Sequence, residues 1–180
     1  MVHEEFGDSI KLHVGCGKRI FEGWVNVDVV HNPAAPRAPD LLCPAHDIPL
    51  PSGSVVELTA IHVFEHFYVW EVPRVLAEWS RLMRPNALLV LEMPDLFKCC
   101  QNVLAHGAAH ADRKDQFGMW GLYGDPQTED VHMAHHWGWT FKSLAPVLQA
   151  HGFKNCRESL TQWHAMGRGV RDFRIEAQRI

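Results

Sequence analysis

Short apolar runs punctuated by turn-forming clusters dominate the first half of the chain. Lys11-Leu12-His13-Val14 is β-prone and ends in Gly15-Cys16-Gly17, the pattern of a strand entering a tight turn. Trp24 to Val30 is β-branched and mostly apolar, as expected of a strand buried on both faces. Val55 to Val63 and Ala87 to Met93 read the same way, the second cut off by Pro94-Asp95. Between them Val72, Val75, Leu76, Trp79, Leu82 and Met83 recur at helical spacing. Pro73 falls in the first turn of that helix and Pro85 ends it. From His31 to Ala45, Pro33, Pro36, Pro39 and Pro44 exclude a regular helix, leaving a short edge strand around Leu41 to Cys43. Pro49 and Pro51-Ser52-Gly53 form a turn.

The second half is less regular. Phe97 to His106 suits a helix. His110 to Trp139 is rich in Gly, His and Trp without a period, as in a long functional loop. Thr140 to His151 reads as a helix stopped by Gly152, with Pro146 demanding a kink or a later start. Phe173, Ile175 and Ala177 alternate with Arg174, Glu176 and Gln178, which predicts a half-exposed antiparallel strand. Strands alternating with helices and closed by a hairpin predict an α/β sheet with one antiparallel member.

Composition narrows the class. The chain has 180 residues, 47% hydrophobic and 21% charged, which suits one globular domain over residues 1–180. The net charge of −4 and the lack of a basic run disfavour a nucleic-acid partner. Five cysteines without a C-x-x-C pair fit free thiols in a reducing compartment. Met1 to Ser9 is acidic and polar, unlike a signal peptide, and no apolar run reaches bilayer length. A cytoplasmic location is expected.

Gly15-Cys16-Gly17 followed by Asp28 carries the most chemistry. Glycines after a strand let the backbone approach a ligand closely. An acid closing the next strand can accept from two ribose hydroxyls, so a nucleoside-type ligand is expected. The G-x-G-x-x-G fingerprint fails at Ile20, which disfavours a dinucleotide. Residues 15–23 leave room for a first helix of one or two turns at most.

Five blocks in order resemble the class I S-adenosylmethionine-dependent methyltransferases, closest to their compact type 11-like group. They are Leu12 to Gly17, Gly23 to Asp28, Asp47 to Val55, His62 to Phe67, and Leu82 to Ala87 running on to Met93-Pro94-Asp95. A weaker sixth is Leu144 to Phe153. The resemblance implies a Rossmann-like three-layer sandwich on a mostly parallel seven-stranded sheet with an antiparallel last strand. It implies S-adenosylmethionine as cofactor, with Gly15, Cys16 and Gly17 lining its methionine part and Asp28 holding the ribose. Asp47 and Ile48 would contact the adenine, and His62 would lie beside the cofactor. Asn86-Ala87 replaces a frequent glycine pair, and the proline-rich stretch replaces a helix.

Methyl transfer is a direct displacement that needs alignment and dryness rather than an enzyme nucleophile. A hydroxyl or ammonium acceptor must also lose a proton, for which His62, Glu65, His66 and Asp95 are candidates. Glu65 and His66 equally suit a helix start, and Asp95 a cap. Thirteen histidines raise a metal; His106 and His110 are one pair, His132, His135 and His136 another cluster. Neither H-E-x-x-H nor a Cys/His ligand spacing is present, so no metal is expected. The loop histidines, with Trp120, Trp137 and Trp139, would instead shape an acceptor pocket or lid. Cys16 reads as a small residue between glycines. Alternatives are a non-catalytic methyltransferase-fold partner or scaffold for a pathway enzyme, and a nicotinamide oxidoreductase. A small or sugar-like acceptor is expected, with O- against N-methylation, peptides and a homodimer left open.

Overall fold

The computed structural model describes residues 9–107, 117–125, 130–163 and 171–180. Seven strands form one sheet: β1 (Ile10–Val14), β2 (Val25–Asp28), β3 (Leu41–Leu42), β4 (Val55–Ile61), β5 (Met83–Pro94), β6 (Phe153–Ser159) and β7 (Asp172–Arg179). Their order is β3-β2-β1-β4-β5-β7-β6, and β7 alone runs against its neighbours. The seven-stranded, mostly parallel Rossmann-like sheet expected from the sequence is present.

Register builds the core. Leu12 pairs with Val25 and Leu58, Leu58 with Leu89, and Leu89 with Ala177. One pleat further, Val14 pairs with Val27 and Ala60, Ala60 with Leu91, and Leu91 with Ile175. All of these are buried in one cluster. Helix α1 (Val72–Leu82) covers it with Val75, Leu76, Trp79 and Leu82, all fully buried at three- and four-residue spacing. Helix α2 (Leu96–His106) starts on Asp95, whose carboxylate accepts from the amides of Phe97 and Lys98 at 2.9 and 3.1 Å. Helix α3 (Phe117–Tyr123) and a 3₁₀ turn over Val131–Met133 lie within the stretch expected to be a structureless loop; His110 falls outside the described residues.

Helix α4 (Phe141–Ala150) adds Leu144 and Leu148 to the core and starts with a Thr140–Ser143 capping box. It runs through Pro146, so of the two expectations, a kink or a later start, the later start does not hold. Pro146 and Lys142 are both exposed, so water can serve the carbonyl that the missing N–H leaves free.

The opposite face departs further from expectation. The ten residues between β1 and β2 form turns, with no helix. Asn26 replaces the helical hydrogen bonds: its Oδ1 accepts from the Phe21 amide at 2.8 Å, and its Nδ2 donates to the Phe21 and Trp24 carbonyls at 3.0 and 2.9 Å. Phe21 stacks between the His13 ring, 3.9 Å away, and Trp163, 4.7 Å away. Glu92 of β5 accepts from the amides of Gln162 and Trp163 at 2.9 and 3.0 Å. The layer over His13 and Glu92 therefore consists of loop segments. That cover also alters β7, whose polar positions were expected to face water: Arg174 is only 7% exposed and lies 3.6 Å from buried Glu92.

Candidate active site

Parallel strands deliver their carboxyl ends to one edge of the sheet, where the candidate residues gather. Two backbone N–H groups, of Gly15 and Cys16, donate to the Val27 carbonyl at 2.8 and 3.1 Å and fold the turn back on β2. Gly15 has a φ of 67°, and a Cβ there would overlap the methyl groups of Val63. Gly17 has a φ of 52° and donates its amide to Asp28 Oδ2 at 2.7 Å. A Cβ at Gly17 would meet nothing within 4 Å, so the space beside the Asp28 carboxylate is open. Asp28 Oδ1 accepts from Val29 and Val30 at 2.7 and 3.3 Å. Burial, with help from Asp28, pushes the Cys16 thiol up to about 12, so it stays protonated.

The adenine-side residues diverge. Asp47 is exposed on a turn, its amide donating to the Pro44 carbonyl at 3.0 Å. Ile48 belongs to the core, and its amide donates to Glu78 Oε1 of α1 at 2.9 Å.

A charged cluster stands at the end of β4. His62 adopts a left-handed φ of 53° and donates its amide to the Glu92 carbonyl at 2.7 Å. Its ring lies between two carboxylates, with Nδ1 3.1 Å from Glu65 Oε1 and Nε2 3.4 Å from Asp172 Oδ2. Arg171 clamps Asp172 from the other side at 2.6 and 3.0 Å. Burial works against the His62 charge, but the bonds to Asp172 and Glu65 outweigh it and raise its pKa well above the ordinary value. Burial likewise resists ionisation of Glu65, and the His62 partner overcomes it and holds the carboxyl below its usual range. The two carboxylates thus favour the imidazolium form of His62, which disfavours it as a proton acceptor.

Residues distant in sequence complete the cluster. His66 Nδ1 donates to the Ala134 carbonyl and His135 Nδ1 to the Gly121 carbonyl, each at 2.9 Å. The two rings meet edge to face with centroids 4.7 Å apart. The amides of His136 and Trp137 both donate to the Glu65 carbonyl, at 2.8 and 3.2 Å, and tie this strand of chain to the Phe64–His66 turn. His136 stacks on Tyr68 at 3.9 Å, and Tyr68 on Trp70 at 4.4 Å. Trp70 is 72% exposed. Trp139, by contrast, is buried in the core against Phe64, and Asp95 serves as a helix cap. His132 stays exposed. Sequence reasoning never singled out Arg171 or Asp172, and it named His135 only as one of several loop histidines.

A methyltransferase-domain family model matches residues 12–91, from β1 to the middle of β5. The matched stretch and the sheet order liken the chain to the class I S-adenosylmethionine-dependent methyltransferases. A methyltransferase of Methanosarcina mazei is 16% identical, over 96% of this chain and 92% of that one, with a TM-score of 0.59. A protein of Pyrococcus horikoshii is 13% identical over 96% and 82%, with a TM-score of 0.66. The 1,6-didemethyltoxoflavin-N1-methyltransferase of Burkholderia thailandensis, solved with its acceptor and S-adenosylhomocysteine, is 15% identical over 98% and 74%, with a TM-score of 0.61. None of the curated proteins matches the chain.

The cofactor that this likeness implies is S-adenosylmethionine, and the glycine turn fits it. The turn is held by its own backbone bonds, open space lies over Gly17, and an anchored carboxylate stands next to that space. Among the described residues no helix is long and apolar enough to cross a membrane.

Proposed function

We propose that this methyltransferase methylates a hydroxyl or amine of a small, sugar-like or flat acceptor. The observation that carries the acceptor class is the aromatic row of Trp70, Tyr68 and His136, which runs from solvent toward the His66–His135 pair. Stacked rings suit the apolar face of a sugar or a planar heterocycle. When bound, the cofactor supplies a methyl group already activated on a sulfonium, so the protein has to align and to exclude water.

In this reading Asp28 holds the ribose hydroxyls, and Gly15, Cys16 and Gly17 let the methionine part approach the backbone. Asp47 is kept for the adenine edge. Ile48 has its amide committed to Glu78 and its side chain in the core, so it contributes only the shape of the loop. Val63 lies against Gly15, and that contact brings the neighbouring His62, Glu65 and His66 to the cofactor turn. His62 positions Glu65, while Glu65 and His66 face the acceptor.

The test is release of S-adenosylhomocysteine from S-adenosylmethionine across a panel of monosaccharides, amino sugars, nucleosides and planar heterocyclic amines. Turnover with members of this panel is the expected result. Turnover confined to peptides would overturn the acceptor class.

A further inference from the structure

We propose that Glu65, His66 and His135 form a binding site for a divalent transition-metal ion beside the glycine turn. One ligand atom from each lies within 4.8 Å of the other two. The backbone dictates what those atoms offer. A carbonyl oxygen can only accept, so the Nδ1 atoms of His66 and His135, each 2.9 Å from a carbonyl, must carry protons. In the neutral rings Nε2 is then the nitrogen left with a lone pair to offer a metal. Metal-bound histidines are fixed in this way, with the second ring N–H given to a backbone carbonyl or a carboxylate.

The third group points the same way. Glu65 is 2% exposed, and its Oε2 has no hydrogen-bond partner among the described residues. Its Oε1 is oriented by His62 Nδ1 at 3.1 Å. His135 Nε2 stands 3.9 Å from the same oxygen, too far for a hydrogen bond. A buried carboxylate oxygen without a donor is costly, and neither histidine of the cluster is hydrogen-bonded to the carboxylate to relieve that cost. A cation among the three relieves it.

Donor type selects the ion. Two imidazoles and one carboxylate suit Zn²⁺, Co²⁺, Mn²⁺ or Fe²⁺, whereas Ca²⁺ and Mg²⁺ favour all-oxygen sites. Three protein ligands leave coordination positions open to an outside oxygen or nitrogen. If the methyltransferase reading above holds, an acceptor hydroxyl or amine is the natural occupant, but metal binding does not depend on it.

The test therefore uses the metal alone, without cofactor or acceptor. The tag-free chain, stripped with a chelator, is titrated with Co²⁺ and Zn²⁺ by calorimetry, with Mg²⁺ as control. One Co²⁺ or Zn²⁺ per chain is expected, with visible d–d absorption from Co²⁺. His66→Asn and His135→Asn should each weaken binding on the order of 100-fold, since even orienting partners of ligands are worth about 10–100-fold. His132→Asn, on an exposed residue, should leave binding unchanged. Circular dichroism checks that the variants fold, and Glu65→Gln stands in for either one that does not. Absence of saturable uptake by the parent chain, or uptake unaffected by the ligand variants, would overturn the site. Failure of the acceptor panel alone would leave the metal titration intact, so the two readings fail separately.

Discussion

The Gly17 amide and the Asp28 carboxylate are joined by a 2.7 Å hydrogen bond that ties the end of β2 to the glycine turn. Asp28 thus anchors the turn, and in the reading proposed above it also accepts from the ribose. Asp28→Asn keeps the shape and removes the charge. Hydrogen bonds to charged groups contribute about 1.5–3 kcal/mol each, so S-adenosylhomocysteine affinity should fall about 100-fold. Calorimetry checks this, and an unchanged dissociation constant would remove the ribose assignment.

The contact between Gly15 and Val63 links the cofactor turn to the charged cluster. Gly15→Ala adds a methyl group in a left-handed conformation and drives it into Val63. It should cost about 2–4 kcal/mol, from the left-handed backbone and the overlap together. Val63→Ala should return the overlap part and leave the backbone part. A double-mutant cycle in urea should therefore give a coupling of about 1 kcal/mol or more; strict additivity would show that the two residues do not meet.

His13 makes stability depend on pH. Burial pushes its pKa down to about 4, Arg19 adding to the shift while the Asn26 bond and the Asp28 charge oppose it. The unfolded chain takes up this proton below about pH 6.5, but the folded chain does so only near pH 4. The stability contributed by a neutral His13 is thus fully present above about pH 6.5 and is lost as pH falls toward 4. His13→Phe keeps the stack on Phe21 and cannot titrate. Between about pH 7.5 and about pH 4.5 it should lose roughly 2–3 kcal/mol less than the parent chain. Parallel urea curves for the two proteins would contradict this.

Trp70 gives a cleaner separation of roles, because it is exposed and packs on Tyr68. Trp70→Ala should change stability by no more than about 0.5 kcal/mol. If the row holds the acceptor, its KM should rise roughly 2–10-fold, the value of one aromatic contact, with cofactor affinity unchanged.

Much of the fold could be read directly. Leu12, Val25, Leu58 and Leu89 each sit in a β-branched or leucine-rich run bounded by Gly or Pro, and such runs have one outcome in a parallel sheet. The glycine turn and Asp28 were legible because local chain geometry requires those residue types. The first crossover was not, because Asn26 supplies from its side chain the hydrogen bonds that a helix would have made. The alternation in β7 misled because Glu92 and Arg174 bury each other, and a period of two cannot distinguish water from a buried partner. Asp172 was invisible as a candidate and His135 was only one of several loop histidines, since what sets them apart is contact with His62, and with His66 and Glu65, across long stretches of chain.

The stack of Phe21 on Trp163 has a consequence for biogenesis. The Arg19 guanidinium donates to the Trp163 carbonyl at 3.2 Å, so the loop beyond the glycine turn leans on a segment synthesised about 140 residues later. At about 5–20 residues per second, that separation amounts to roughly ten seconds or more of translation. A nascent chain would pass this interval with its glycine turn unsupported, and, if that turn holds the nucleoside as proposed, ligand affinity measured on stalled chains of increasing length should appear only after Trp163 has left the ribosome.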